Sequence, residues 1–398
     1  MKYAAILPDG AADEPVPELG GRTPLQAARL PNMDAIAKLG RVGTVKTVPK
    51  GFIPGSDVAT LSVVGYDPHQ YYTGRAPLEA VAKNMKLEPG ELVFRCNLVT
   101  IVDEQMEDFS AGHISQPEAQ TLITDLNKAL GDDRIQFHVG VSYRHLMTMK
   151  NASEMKVKAT PPHDIPGQPI AKYLPSGAGS EIVRDLMDRS REILADHEVN
   201  SVRRDLGENP ATSIWLWGHG PMLDLPSFES RFGVKGAAIT AVDLIRGIAL
   251  SAGWRLIEVE GATGYLDTNY AGKGEAAVAA LDDVDIIAVH VEAPDEAGHN
   301  GDPKAKVKAL EEIDKHVVGP LLNKLKSFDA WRVLVIPDHP TPVGKRTHTD
   351  TPPPFCMAGT GVVADNATAF DEEQAVATNW KVDPGHELME YFLKSRAD

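Results

Sequence analysis

Residues 284–302 read VDIIAVHVEAPDEAGHNGD, an apolar run that ends in side chains of the kind that bind metals. A short apolar run bounded by polar residues is typical of a buried strand. Asp295 follows this run, and His299 lies four residues farther on, so a turn or helix start would set an oxygen and a nitrogen on one side. In open α/β sheets, ligands gather beyond the carboxyl ends of strands. The stretch therefore predicts a strand with a metal site at its carboxyl end.

Two later segments repeat this arrangement. Residues 332–342 read RVLVIPDHPTP, an apolar run that ends in Asp338 and His339, and residues 345–355 read KRTHTDTPPPF, which places His348 in a polar loop. Carboxylate and imidazole ligands together fit Mn²⁺, Zn²⁺ or Mg²⁺, and the sequence does not choose among these metals. Adjacent side chains of an extended backbone point in opposite directions. Asp338 and His339 are therefore expected to suit two neighbouring metals better than one.

The composition is that of a soluble globular protein. Of the 398 residues, 42% are hydrophobic and 24% are charged, and this length allows one large domain or two ordinary ones. No apolar run approaches the ~20 residues that are needed to span a bilayer. We interpret the N-terminal segment as a strand and not as a signal peptide, because its short apolar run is broken by Pro8 and Asp9.

Charge and cysteine content restrict the partners and the compartment. A formal net charge of −16 argues against nucleic acid and anionic membranes as partners, but an anionic metabolite can bind where metals and local cations dominate. The two cysteines, Cys96 and Cys356, are too few for a disulfide framework and fit a reducing cytoplasm. The oligomeric state stays open, with a homo-oligomer among the alternatives.

Strands that alternate with helices predict an α/β fold, with a mainly parallel sheet and helices on both faces. Within it, residues 92–231 form a block with its own alternation of strand-like and helix-like segments. We interpret this block as a smaller inserted α/β domain, which leaves residues 1–91 and 232–398 as a discontinuous core. Within the core, the spacing of apolar residues predicts helices at residues 233–254 and 304–328.

Two upstream residues are candidates for the same site. Asp9 follows the first predicted strand, where an aspartate is either a metal ligand or a turn residue. Ser56 precedes a short helical pattern and is either an N-cap, the more common use of serine there, or a nucleophile. The capping-box acid is missing, since Ala59 occupies its position. A phosphoryl group on Ser56 would meet backbone N–H donors and the positive end of the helix dipole.

A series of longer motifs follows the order LPDG, GFIPGSDVATLSVVGYDP, YYTGRAPLEA, FRCNLVT, DFSAGHIS, GVSYRHL, PPHDIPG, GVKGAAITAVDLIRG, GATGYLDTNY, PDEAGH, PDH and THTDTPPPF. In these motifs the chain resembles the archaeal-type cofactor-independent phosphoglycerate mutases of the alkaline phosphatase superfamily. The resemblance implies a phosphatase-like α/β core with a smaller α/β domain inserted after the serine segment. It also implies interconversion of 3-phosphoglycerate and 2-phosphoglycerate through a phosphoserine, with two divalent metal ions and without 2,3-bisphosphoglycerate.

The resemblance further implies roles for single residues. Ser56 would be the nucleophile, and His113, in DFSAGHIS, would contact the substrate and carry protons. Arg144 and Lys235 would bind the phosphate and carboxylate of a phosphoglycerate. The alternative for Arg144 is a surface ion pair, and the alternative for Lys235 is a solvent-exposed residue at a helix start. The two metals would be held by two groups of ligands, which are Asp295, His299 and His348, and Asp9, Ser56, Asp338 and His339.

The sequence departs from the better-known bacterial mutases in ways that concern the substrate. Those proteins have a glycine where Pro340 follows the Asp-His pair, and a larger inserted domain richer in arginine, whereas here no arginine lies between Asn209 and Pro221. Relatives with a VHVEAPDEAGH-type segment have been proposed to be homoserine kinases, although no Walker-type glycine loop occurs here. The alternatives to a mutase are therefore a homoserine-kinase-like phosphotransferase, a metal-dependent phosphohydrolase and, from another class, a non-catalytic binding protein.

Overall fold

The chain folds into two units, and the structure, a computed structural model, describes residues 1–394. The first unit combines Met1–Tyr72 with Asp224–Asp398, and the second is Thr73–Leu223. The end of the predicted core, residues 395–398, lies outside the described residues.

The strands are β1 (Lys2–Pro8), β2 (Arg41–Val45), β3 (Leu92–Val102), β4 (Gln105–Asp108), β5 (Ile135–Val141), β6 (Arg144–Met149), β7 (Lys156–Lys158), β8 (Ser176–Ala178), β9 (Ser213–Gly220), β10 (Gly236–Ile239), β11 (Arg255–Leu256), β12 (Ile286–Val291), β13 (Trp331–Val335), β14 (Pro354–Gly359) and β15 (Lys381–Val382). The α-helices are α1 (Pro24–Ala27), α2 (Pro31–Leu39), α3 (Ser56–Val63), α4 (Pro68–Tyr71), α5 (Arg75–Ala82), α6 (Gln116–Leu130), α7 (Ser180–Ala195), α8 (Glu198–Asp205), α9 (Phe228–Phe232), α10 (Asp243–Ser251), α11 (Tyr270–Ala280), α12 (Ala293–Asn300), α13 (Pro303–Ile313), α14 (Gly319–Leu325), α15 (Glu372–Ala377) and α16 (Leu388–Lys394). Short 3-10 helices lie at Pro17–Leu19, Pro162–Asp164, Ile170–Lys172 and Gly385–Glu387.

The first unit is built on one sheet with the strand order β11-β10-β12-β1-β13-β14-β2-β15. The five strands from β11 to β13 are parallel to one another, β14 is antiparallel to both neighbours, and β2 and β15 pair in parallel. A mainly parallel α/β sheet, as predicted from the sequence, is therefore confirmed. Its central strands are mostly apolar because both faces are covered.

Side chains of β1 alternate between the two covered faces. Ala4 and Ile6 belong to the large apolar core that also contains residues of α2, α11, α13 and α14. Leu7 points the other way and, with Ala288 of β12, lines a small apolar cavity together with residues of α3 and α10. Helices thus cover both faces, and α3, which begins at Ser56, lies over the face that carries Leu7.

The prediction of a single helix over residues 233–254 was wrong in its first part. Gly236–Ile239 form β10, which lies between β11 and β12, and only Asp243–Ser251 are helical. The apolar spacing of the second half is that of α10, whereas the run of small apolar residues before it is a buried strand. The predicted helix over residues 304–328 consists of α13, a π-helical turn at Asp314–Val318 and α14. The turn ends two residues before Pro320, which has no N–H to donate to a regular α-helical hydrogen bond.

The second unit has an antiparallel sheet. β3 pairs with β4, β6 and β9, and β5 pairs with β6, all in antiparallel register, while β7 and β8 form a separate pair. Helices α6 and α7 contribute to its core. Antiparallel pairing follows locally because a tight turn with Ser142 at φ 51° joins β5 to β6.

The border between the units differs from the predicted insertion at residues 92–231. The second unit begins at Thr73 and ends at Leu223. Helix α5 belongs to it because Ala76 and Ala80 pack against Val93 and Leu146 of the antiparallel sheet. Among residues 1–394, no helix combines the length and the apolar character that crossing a membrane requires.

Candidate active site

Three adjacent parallel strands of the first unit end at the candidate site. Asp9 follows β1, Asp295 lies in the first turn of α12 just after β12, and Asp338 lies in the loop after β13. The close approach of these segments requires a glycine after Asp9. Gly10 has φ +61°, and a Cβ atom there would lie 2.6 Å from Oδ1 of Asp295. The carboxyl edge of the sheet therefore brings the three carboxylates together, as expected for an α/β sheet.

The first group of candidate ligands consists of Asp295, His299 and His348. Nε2 of His299 lies 3.2 Å from one oxygen of Asp295, and Nε2 of His348 lies 3.5 Å from the other. The two Nε2 atoms are 2.9 Å apart. Asp295 and His299 share one side of α12 because they are four residues apart.

Both histidines of this group direct an unprotonated nitrogen inward when their rings are neutral. Nδ1 of His299 lies 3.1 Å from the carbonyl oxygen of Arg346, and Nδ1 of His348 lies 3.3 Å from that of Pro54. A carbonyl oxygen only accepts, so each Nδ1 donates. Each Nε2 of a neutral ring therefore carries a lone pair, which is the arrangement that a bound metal requires.

The second group consists of Asp9, Asp338, His339 and the hydroxyl of Ser56. Nε2 of His339 lies 3.0 Å from Oγ of Ser56, 3.6 Å from Oδ1 of Asp9 and 3.4 Å from Oδ2 of Asp338. Asp9, Asp338 and His339 are all fully buried, and Oδ1 of Asp9 has no hydrogen-bond partner. Four polar side chains thus surround a space in which one carboxylate oxygen is unsatisfied.

Thr341 links the two groups and sets the tautomer of His339. Its hydroxyl donates to Oδ1 of Asp295, and its oxygen lies 3.3 Å from Nδ1 of His339. Because the threonine proton is used on the carboxylate, Nδ1 of His339 donates to Thr341. Nε2 of His339 then carries the lone pair, and the Ser56 hydroxyl donates to it.

The expectation that Asp338 and His339 diverge was wrong. β13 ends at Val335, so the two residues lie in a loop and not in extended backbone. The His339 N–H donates to Oδ1 of Asp338 at 2.9 Å, and both side chains face Asp9. The geometry groups them around one position, as the resemblance implied.

Ser56 is the first residue of α3, and it is not the N-cap. Gly55 holds the N-cap position, and the Ser56 hydroxyl bonds to His339 and not to the helix backbone. The capping role considered for Ser56 is therefore excluded in this structure. The side chain lies at the end of the helix where N–H groups are unsatisfied and the dipole is positive.

Burial and mutual repulsion dominate the electrostatics of these carboxylates. Burial, followed by the charges of Asp338 and Asp295, raises the pKa of Asp9 well above its ordinary value. Burial also acts to raise the pKa of Asp295, but hydrogen bonds from His299 and His348 outweigh it and hold that pKa well below its ordinary range. The bond to Asp295 raises the pKa of His299 to about 9.

The donor set fits divalent cations. Asp9, Asp295 and Asp338 are buried carboxylates, and burying them without compensating positive charge is costly. Their neighbours are imidazole lone pairs and a serine hydroxyl, which complete mixed oxygen and nitrogen sites. Both groups have three side chains whose ligand atoms lie within 4.8 Å of one another.

His290 and Glu292 adjoin Asp9, and the sequence reasoning missed them. Nε2 of His290 lies 2.8 Å from Oδ2 of Asp9 and 3.6 Å from Oε2 of Glu292. The buried oxygen Oε2 of Glu292 has no hydrogen-bond partner. The available signal was a histidine inside the apolar strand of residues 284–302, two residues before a glutamate and therefore on the same side of the strand.

In the second unit, His113 and Arg144 both lie near Tyr143. The His113 ring is 6.0 Å from the Tyr143 ring, and the Arg144 guanidinium is 5.7 Å from it. Both side chains are exposed. The structure therefore brings these two predicted substrate residues to one face of the second unit.

The loop that carries His113 has a strained and well-braced backbone. Ala111, Gly112 and His113 have φ values of 48°, 68° and 50°, which non-glycine residues rarely adopt. Oδ2 of Asp108 accepts from the Gly112 N–H at 2.7 Å, and Arg203 donates to the Ala111 carbonyl at 2.8 Å. These bonds fix the conformation in which His113 is presented to solvent.

Lys235 is not brought to either group. It directly precedes β10, at the amino end of the strand, whereas the candidate ligands lie beyond the carboxyl ends of the parallel strands. Its ammonium group is exposed and lies 4.0 Å from Glu229. Its position matches the solvent-exposed alternative that the sequence left open.

Comparison with known proteins gives the family. Residues 37–200 match the family model described as 2,3-bisphosphoglycerate-independent phosphoglycerate mutase. The protein of that name from Methanothrix thermoacetophila is 50% identical over 394 residues, which cover 99% of this chain and 100% of the relative. The chain belongs to this family. A probable mutase of the same type from Geobacter sulfurreducens is 49% identical, with 99% of this chain and 100% of the relative covered.

Solved structures agree with membership of the mutase family. A protein from Pyrococcus horikoshii superposes with a TM-score of 0.83 at 29% identity, covering 98% of this chain and 96% of that one. The cofactor-independent phosphoglycerate mutase of Thermoplasma acidophilum gives a TM-score of 0.65 at 26% identity, with 99% of both chains covered. The resemblance stated from the motifs is confirmed, and the chain is an enzyme of the cofactor-independent mutase family.

Proposed function

We propose that the protein interconverts 3-phosphoglycerate and 2-phosphoglycerate through a phosphoserine on Ser56, with the help of two divalent cations. The observation that carries this proposal is the Ser56 hydroxyl, which lies 3.0 Å from Nε2 of His339 within a group of buried carboxylates. Membership of the mutase family supports the substrate class, because full-length relatives carry that name.

The grouping of the candidate ligands supports two cation positions. One cation would be held by Asp295, His299 and His348, and the other by Asp9, Ser56, Asp338 and His339. When bound, these cations supply a lowered pKa for the serine hydroxyl and positive charge opposite the phosphoryl oxygens. Mn²⁺, Zn²⁺ and Mg²⁺ all remain compatible with mixed carboxylate and imidazole ligands.

Two phosphoryl transfers account for the isomerisation. In the first, Ser56 Oγ forms a bond to phosphorus, the bond between phosphorus and the 3-oxygen of the substrate breaks, and the serine proton passes to that oxygen. In the second, the 2-oxygen of the bound glycerate forms a bond to phosphorus, the bond between phosphorus and Ser56 Oγ breaks, and the proton of the 2-hydroxyl passes to Oγ. N–H groups at the start of α3 are suited to orient the phosphoryl oxygens in both steps.

We propose that His113 and Arg144 hold the glycerate part of the substrate. A guanidinium binds a carboxylate through two parallel hydrogen bonds, and Arg144 is exposed for such contact. An imidazole can both donate and accept a proton, and the braced loop holds His113 in place for that role. Glycerate has to stay bound between the two transfers, because water that replaced it would hydrolyse the phosphoserine.

The reaction is assigned to the cytoplasm, and no macromolecular partner is needed for it. Both cysteines, Cys96 and Cys356, are buried and unpaired, which is compatible with a reducing compartment. The acidic net charge of −16 remains unfavourable for binding nucleic acid.

A single assay tests this function. Purified protein is incubated with Mn²⁺ and 3-phosphoglycerate, and separately with Mn²⁺, ATP and homoserine, while phosphorus NMR follows the products. We expect 2-phosphoglycerate in the first reaction and no phosphohomoserine in the second. Phosphohomoserine formation would establish the kinase alternative, and release of inorganic phosphate alone would establish a phosphohydrolase. Loss of turnover with a chelator and its return with Mn²⁺ separates an enzyme from a binding protein.

A further inference from the structure

A chain of hydrogen bonds runs across the ends of three adjacent strands to Asp9. Thr240 follows β10, His290 lies in β12, and Asp9 follows β1. Oγ1 of Thr240 is 3.2 Å from Nδ1 of His290, and Nε2 of His290 is 2.8 Å from Oδ2 of Asp9. All three side chains are buried. The parallel register creates this chain, because β10 and β1 flank β12.

The neighbours of His290 indicate which of its two nitrogens carries the hydrogen when Asp9 is ionised. The N–H of Val242 donates to Oγ1 of Thr240 at 3.2 Å, so the threonine oxygen already serves as an acceptor. An ionised Asp9 carboxylate only accepts, so Nε2 of His290 carries the hydrogen and is the donor in the 2.8 Å bond to it. In a neutral ring Nδ1 is then the acceptor, and the Thr240 hydroxyl is free to donate its proton to it.

This tautomer distinguishes His290 from the histidines of the two ligand groups. In the neutral rings of His299, His339 and His348, Nδ1 donates and Nε2 presents a lone pair. In His290 the roles of the two nitrogens are exchanged. A metal ligand needs the lone pair, so His290 is suited to hold a ligand in place and not to be one.

We propose that His290, oriented by Thr240, is a positioning residue that fixes the Asp9 carboxylate for metal binding. The bond from His290 occupies Oδ2 of Asp9, while Oδ1 stays buried without a partner, 3.6 Å from Nε2 of His339. Asp9 would therefore present Oδ1, and not Oδ2, to the cation. This inference rests on the proposed metal centre, but its tests measure binding and tautomer without any substrate.

The tautomer is directly measurable. Two-dimensional NMR of protein labelled with ¹⁵N in its histidines reports whether Nδ1 or Nε2 carries the hydrogen. We expect the Nε2–H form for His290 in wild type loaded with the diamagnetic ion Mg²⁺ or Zn²⁺, where Asp9 is ionised, and loss of that preference in Thr240→Val, which removes the hydroxyl and keeps the shape. A hydrogen on Nδ1 of His290 in the wild type would overturn the proposal. This measurement needs no substitution at His290, so it tests the positioning role even if variants at His290 do not fold.

Metal affinity gives the second test. Competition with a chelating dye measures the binding of Mn²⁺ to each site in the absence of phosphoglycerate. His290→Leu should weaken one of the two sites about 10- to 100-fold. His290→Gln, which restores an N–H donor, should recover most of that affinity. A matched control is His316→Gln, because His316 pairs with Glu312 at 3.4 Å outside both ligand groups.

Two results would overturn the positioning role. Unchanged affinity in a folded His290→Leu protein would show that the bond to Asp9 has no influence on the site. A wild type that binds three metals, of which His290→Leu and His290→Gln both lose one, would show that His290 is itself a ligand of a further cation with Glu292.

Discussion

Oγ of Ser56 lies 3.0 Å from Nε2 of His339, although 283 residues separate the two in sequence. The direction of this bond follows from Thr341, whose oxygen accepts a hydrogen bond from Nδ1 of His339. Nε2 of the neutral ring is then an acceptor. The serine hydroxyl is thereby turned away from the helix backbone and toward the buried carboxylates. A serine used only to cap α3 would be turned the other way.

Replacement of the serine tests its role as nucleophile. Ser56→Ala should reduce isomerisation by more than about a hundredfold with little change in stability, because it removes the attacking oxygen. Rates with 3-phosphoglycerate and the thermal melting temperature are measured together. Ser62→Ala, a buried serine of the same helix, is the matched control and should stay active. Residual activity of Ser56→Ala above that limit would contradict a covalent route.

Removal of one histidine tests the first ligand group. His348→Ala should lower the metal content, since Nε2 of His348 faces both Asp295 and His299. Elemental analysis after gel filtration gives the stoichiometry, with His316→Ala as a control of the same residue type. If the two variants retained equal amounts of metal, His348 would not belong to the site.

Neutralisation of Asp9 should have opposite effects on stability with and without metal. Burial and the charges of Asp338 and Asp295 raise the pKa of Asp9, so its ionised form is unfavourable in the fold. Asp9→Asn should therefore stabilise the chelator-treated protein by roughly 1–3 kcal/mol and reduce its further stabilisation by Mn²⁺ to the part that the Asp295, His299 and His348 group contributes. Denaturant unfolding with and without Mn²⁺ measures both effects. An Asp9→Asn protein that Mn²⁺ still stabilises as in the wild type would exclude Asp9 as a ligand.

The stability of the chelator-treated protein should fall with rising pH because of His299. The bond to Asp295 raises the folded-state pKa of His299 to about 9, above an unfolded value of about 6.5. This contribution is fully present below about pH 6.5 and is lost as the pH rises through about 9. Urea unfolding from pH 6 to 9.5 should show the decline in wild type and a flatter profile in His299→Gln. Equal slopes would refute the assignment.

The candidate ligands that follow strands were predictable from sequence, and the positioning residue inside a strand was not. Asp9, Asp295 and Asp338 each stand just beyond an apolar run, where an α/β sheet collects its ligands. His290 is one residue inside β12, and a histidine within an apolar strand is hard to distinguish from a satisfied core residue. The position of its partner Thr240 at the end of a strand was not predictable either, because the preceding strand β10 was predicted as part of a helix.

Loop geometry and strand direction account for the remaining differences. The divergence expected for Asp338 and His339 assumed extended backbone, which ends before them at Val335. Lys235 carries the right charge for an anionic substrate, but parallel strand direction puts it at the opposite edge from the carboxylates. The left-handed backbone at His113 has no local sequence signal beyond Gly112, because it is held by the Asp108 carboxylate, which accepts from the Gly112 N–H, and by Arg203, which donates to the Ala111 carbonyl.

The central claim is transfer of the phosphoryl group through Ser56. Its most direct measurement is rapid acid quenching of the Mn²⁺ enzyme within one turnover of 3-phosphoglycerate labelled in its phosphoryl group, followed by peptide mass spectrometry. The account predicts label on Ser56 that appears before 2-phosphoglycerate and is absent in the chelator-treated protein. Formation of 2-phosphoglycerate without label on Ser56, or with the label on another residue, would contradict it.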